Sequence, residues 1–173
     1  RINVDAGTLA MNSATNAVNF GTYTLTFGGA ATNTLTGKLN GSGIVVKDGA
    51  GILALNADNS TSYTGPANIN AGYVNLMQNN ALGNTLATTT VASGATIKLT
   101  GTAINTPEPV TINGDGVATN QGAILNPSGS NTWSGPITLA SASRIVTGAG
   151  TANTDSLIII TGGINTGNFL LTT

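Results

Sequence analysis

The chain has 173 residues, enough for one domain with a continuous core, and only 6% of them are charged, for a net charge of -1. Five scattered Lys and Arg exclude a clustered basic face for nucleic acid, and 40% hydrophobic residues exclude ordinary disorder. Cys and His are both absent, which removes disulfides, Cys-based zinc sites and the commonest metal ligand and general base.

Thr, Asn, Ser and Gly carry the polarity, and with β-branched residues they favour strands and turns over helix interiors. In chain order, alternating runs predict strands at Tyr23–Phe27, Ile44–Val46, Ile52–Leu55, Thr96–Leu99 and Pro109–Ile112, then Ile137–Leu139, Leu157–Ile160 and Phe169–Leu171. One helical turn is predicted at Met77–Leu82, ended by Gly83. No apolar run reaches the roughly 20 residues that span a bilayer as a helix. With 4% aromatic residues there is no sign of the aromatic girdles of a membrane barrel.

Repetition selects among all-β architectures. An apolar or aromatic residue, then Ser or Thr, then Gly, recurs at Leu35-Thr36-Gly37, Tyr63-Thr64-Gly65-Pro66, Trp133-Ser134-Gly135-Pro136 and Ile160-Thr161-Gly162. Leu55 to Pro66 aligns without gaps on Leu125 to Pro136, which sets Tyr63 against Trp133. A solenoid coil takes about 20 to 30 residues, so that offset is roughly three coils. The expected fold is an all-β, right-handed parallel β-helix, with apolar columns inside, Thr and Asn ladders outside and Gly at the corners. Pro66 and Pro136 stand where a strand begins, a place that tolerates a missing N–H. Asn40-Gly41, Asp48-Gly49 and Asn113-Gly114 suit hairpins and keep a sandwich as the rival.

Gly43 to Leu55, Tyr63-Thr64-Gly65-Pro66 and Ile69-Asn70-Ala71-Gly72-Tyr73-Val74-Asn75-Leu76 resemble the autotransporter-associated β-strand repeat. The likeness continues through Asn80-Ala81-Leu82-Gly83, Val91 to Leu99, Glu108 to Gly114, Gly122 to Asn126 and Ser130 to Leu139. Residues 41–173 carry it; residues 1–40 share only the style, and 1–173 reads as a single β-helix segment. The resemblance implies a passenger region of a secreted bacterial surface protein, whose membrane-anchoring barrel normally follows at the C-terminus. Nothing here matches that barrel, and the first residue is Arg1, so a segment of a longer protein is expected.

Chemistry is sparse. A glycan-active site requires paired carboxylates, and Glu108 and Asp115 are the one pair that shares a predicted strand and its following turn; the competing reading is a solvated strand end and a turn. A serine triad lacks its His. Asn113-Gly114-Asp115-Gly116 resembles a calcium loop but does not repeat in tandem, and no cofactor is expected. Tyr63 and Trp133 occupy equivalent places and suit packing better than sugar stacking. Asn59-Ser60-Thr61 is a glycosylation sequon. The expected function is a non-catalytic extracellular stalk or adhesin, whose partners are neighbouring copies or host glycans and proteins. The alternatives are a filament subunit stacking head to tail and, behind it, a polysaccharide-active enzyme.

Overall fold

A computed structural model describes residues 1–13, 17–118, 121–148 and 156–173. Twenty strands and no α-helix occur among them, and every strand pairing is parallel. Three faces recur around the coil. The first carries Ile2–Asn3, Leu25–Gly28, Val45–Lys47, Ala67–Ile69, Thr89–Val91, Val110–Gly114, the start of Ile137–Thr147, and Ile164–Asn165. The second carries Thr8–Met11, Thr32–Leu35, Ile52–Leu55, Gly72–Leu76, Ala95–Leu99, Ile124–Asn126, the end of Ile137–Thr147, and Leu171–Thr172. The third, more broken, includes Val18–Gly21, Leu39–Gly41, Asn105–Thr106, Ser130–Trp133 and Leu157–Ile160.

This is a parallel β-solenoid of about seven coils. Register gives the coil length directly. Leu25 lies beside Val45 across a short coil, and Val110 beside Ile137 across a longer one. The dipeptides that favoured hairpins instead turn corners between parallel strands: Gly49 (φ 75°) and Gly114 (φ 73°) adopt the left-handed backbone that glycine tolerates. The sandwich rival is thereby excluded.

Side chains fall into columns because each residue sits over its counterpart about 4.8 Å away. Leu35, Leu55, Leu76 and Leu99 form one buried column, and Leu53, Val74, Ile97, Ile124 and Ile145 another. Outside, Thr26, Val46, Asn68, Thr90, Thr111 and Thr138 form the expected polar ladder with one Val. Each fully buried aliphatic side chain contributes about 1.5–3 kcal/mol. The core is tight. The gap among Leu39, Val45, Lys47, Tyr63, Ala67 and Ile69 is about 10 Å³, at the limit of room for one water.

Four expectations need correction. Met77–Leu82 forms turns rather than a helical segment, because Asn80 adopts φ 52° and breaks any helical run. Near the C-terminus the strand is Leu171–Thr172 instead of Phe169–Leu171, and Phe169 and Leu170 are exposed. Leu35-Thr36-Gly37 does not share a corner with the other Gly steps: Leu35 ends a second-face strand, while Tyr63 and Trp133 lie on the third face. The ungapped match of Leu55 to Pro66 on Leu125 to Pro136 slips by one position on the second face. Leu55 stacks through Leu76 on Leu99, and Lys98 pairs with Leu125, so Leu99 lies beside Asn126. Residues 2–35, which fit the repeat least in sequence, pair in the same parallel register as the rest.

Candidate functional site

The corner from the third face to the first holds most of the singled-out residues. Two positions before each register partner on the first face stand Gly43, Gly65, Ala87, Glu108, Gly135 and Gly162. A Cβ on Gly65 would lie 2.0 Å from the Gly43 carbonyl oxygen, and one on Gly135 2.1 Å from that of Glu108. Neither glycine has a positive φ, so glycine is required here by the closeness of the next coil, not by the turn. Gly37 is buried at the other corner, outside this column.

Tyr63 and Trp133 fill the space beside the missing side chains, at 1% and 0% exposure. The Tyr63 hydroxyl donates to the Pro66 carbonyl at 2.5 Å and accepts from the Val45 N–H at 3.1 Å; burial pushes the phenol well above its ordinary value. Phe20 packs on it with ring centroids 5.7 Å apart. Trp133 Nε1 donates to the Glu108 carbonyl at 3.2 Å. Both rings are interior anchors with satisfied polar atoms, and neither presents a face to a sugar. Pro66 and Pro136 each immediately precede a first-face strand, and their carbonyls accept from Val45 and Val110 of the preceding coils.

The structure does not bring the two candidate carboxylates together. Glu108 is inside, and its Oε1 accepts from the Thr89 hydroxyl at 3.3 Å. Burial, opposed by that hydrogen bond, pushes its carboxyl from 4.5 up to about 8. Asp115 is outside, 3.9 Å from Arg144 Nε, beyond the strand Val110–Gly114. Seven residues of extended chain span roughly 20 Å, more than twice the separation that glycoside hydrolysis uses. Gly114 and Gly116 both have positive φ, and the Gly122 N–H donates to the Asp115 carbonyl at 2.8 Å, so this segment is a corner loop. Among the described residues no three Asp or Glu side chains converge. Asp155 lies outside the described residues.

Other polar interior residues tie coil to coil. Lys47 stands between Phe27 and Ile69 in a first-face column. Its Nζ donates to the carbonyls of Asp48 (3.1 Å), Gly49 (2.7 Å) and Ala71 (3.1 Å), the last from the following coil. Burial lowers its ammonium to about 8, against the pull of Asp48. Asn59 accepts from Leu39 N–H at 2.9 Å and donates to Ala81 at 2.7 Å; Asn131 accepts from Ile104 N–H at 2.9 Å and donates to Asn126 at 2.7 Å. Asn59 is 1% exposed with both ends of its amide engaged, so the folded sequon is closed to a glycosylating enzyme. Sequence reasoning did not find these clamps. The available signal was a polar residue whose counterparts one coil before and after are apolar, as with Lys47 between Phe27 and Ile69.

On the outer side of the second face, Lys98 Nζ lies 3.8 Å over the Tyr73 ring, and the Tyr73 hydroxyl donates to Gln121 at 2.7 Å. The loop leaving Asp115 therefore packs on the outside of the sheet, with the Thr96 hydroxyl donating to the Gly122 carbonyl.

These contacts define a structural repeat protein of the parallel β-solenoid class, in which the singled-out aromatic and glycine residues serve the stacking of coils. No protein-family model matches the chain, and comparison with curated proteins and with solved structures also gave no match.

Proposed function

We propose that the chain is a non-catalytic rod segment of an extracellular bacterial surface protein, of the autotransporter-passenger kind that its repeats resemble. One observation carries this reading: the interior polar groups are spent on axial contacts. Lys47, Asn59 and Asn131 each bridge successive coils, and Tyr63 and Trp133 close the corner between them. A stack held this way resists bending, and about seven coils at about 4.8 Å give a rod of roughly 34 Å. The uncharged Thr and Asn exterior and the lack of Cys suit a chain that crosses an envelope unfolded and folds outside. Protease treatment of intact source cells should release peptides of this chain; release only after lysis would defeat the reading.

A further inference from the structure

Glu108 is the odd residue of its column. At its level the stack has Gly43, Gly65, Ala87, Gly135 and Gly162 in other coils, with at most a methyl group to place. The Glu108 side chain goes inward and is 1% exposed. Its Oε1 has the Thr89 hydroxyl, but Oε2 has no partner, nor has the hydroxyl of Thr106 two residues earlier, also buried. The coil above presses directly on it: a Cβ on Gly135 would meet the Glu108 carbonyl oxygen at 2.1 Å, and Trp133 Nε1 bonds that carbonyl. A buried carboxylate with one hydrogen bond is costly, whereas the neutral acid is tolerated.

Countercharge is remote. The titratable group coupled to Glu108 is the Tyr63 phenol, which burial keeps neutral and which therefore supplies no countercharge. The ion pairs Arg1–Asp48 and Arg144–Asp115 lie at the far corner of the first face, and Lys47 sits three coils away, roughly 14 Å along the axis. In a solenoid each coil contacts only its neighbours, so a local penalty opens a local joint.

We propose that Glu108 is a proton-operated latch in the middle of the rod: protonated, it fits the glycine column, and ionised, it parts the coil at 105–112 from the coil at 130–139 while the coils on either side stay stacked. The rod is continuous at acidic and neutral pH and acquires a soft joint under alkaline conditions. This inference concerns the coil stack alone and stands whether or not the chain is displayed on a cell.

Trp133 is the sole tryptophan and sits on the latch, so its emission is a direct readout. In the full chain, emission followed from pH 6 to 9.5 should shift reversibly to the red with a midpoint near 8. Over the same step, amide exchange of Val110 and Ser134, whose hydrogen bonds cross this interface, should accelerate at least tenfold more than that of Val45, after correction for intrinsic rates. Glu108→Gln keeps the shape without the charge, and Glu108→Gly restores the glycine of the column; both should abolish the shift and the selective exchange. Constant emission in the native chain, or the same shift in either variant, overturns the proposal.

Discussion

Gly135→Ala tests the stacking of coils most directly. The added methyl would stand 2.1 Å from the Glu108 carbonyl oxygen, 2.5 Å from its carbonyl carbon and 2.5 Å from the Pro107 oxygen, all backbone atoms of the coil below. Contacts under 3.0 Å are not sustained, so the coils must separate by about 3.0 − 2.1 = 0.9 Å at this corner. Three hydrogen bonds cross it: Ser134 N–H to Thr106 at 2.9 Å, Gly135 N–H to Thr106 at 3.2 Å, and Trp133 Nε1 to Glu108 at 3.2 Å. Stretched by that amount, all three fail, at about 1 kcal/mol net each and more where a buried group is left bare. The expected loss is about 3–4 kcal/mol. Gly129→Ala is the control, since Gly129 has φ +72° but nothing within 4 Å, and only backbone strain of about 1–2 kcal/mol applies. Urea unfolding followed by Trp133 emission should show Gly135→Ala with the lower midpoint at similar slope. Equal midpoints for the two variants would mean that coil-to-coil contact is not what glycine secures at this corner.

Tyr63→Phe removes the hydroxyl held by Pro66 and Val45 and should cost about 1–2 kcal/mol, while Tyr63→Ala should cost about 3–5, both read by denaturant titration. Lys47 binds its proton less well folded than unfolded, so its contribution to stability rises from pH 8 towards 10.5, by roughly 3 kcal/mol, and Lys47→Met should flatten that rise; parallel pH profiles would count against a buried ammonium. Glu108 has the opposite linkage. It holds its proton more tightly when folded, so its contribution is complete below pH 4.5 and declines up to about 8, by up to roughly 5 kcal/mol, relative to Glu108→Gln. Asn131→Ala leaves the Ile104 N–H bare and should cost about 2 kcal/mol in the same titration.

The architecture was legible because alternation and repetition act together. Ile52–Leu55 and Leu157–Ile160 are found where the apolar runs predict them, and the offset from Tyr63 to Trp133 does amount to three coils on the third face. The phase within each coil was not legible. Thr-Gly is short and common, so Thr36-Gly37 imitated a corner it does not occupy. Coil length also varies, from the short step between Leu25 and Val45 to the longer one between Val110 and Ile137. An ungapped alignment that fits at Trp133 is therefore one position out at Leu125. Helical propensity in Met77–Leu82 lost to a tertiary demand: Ala81 and Leu82 are buried, while the Asn79 side-chain oxygen accepts from Asn105 N–H. Glu108 reads as a solvated strand end, and nothing local sets Lys47 apart, because charge is normally outward. Only the column identifies them as interior.

That last point bears on how a chain of near-uniform columns finds one register. Leu over Leu and Thr over Thr are almost as good one coil out of phase, so apolar burial alone leaves slipped stacks close in energy. The buried polar residues remove that degeneracy. Lys47 finds the Ala71 carbonyl only in the following coil, Asn59 meets Leu39 only in the preceding one, and Asn131 meets Ile104 likewise. A slip would bury each without its partner, at about 1–3 kcal/mol per amide or hydroxyl and more for the ammonium. The glycine column adds a steric term of the same sign, since a slipped coil sets a side chain against the backbone that Gly65 and Gly135 now clear. Stiffness and a unique register therefore have the same source: polar and glycine positions that make sense only against one neighbouring coil.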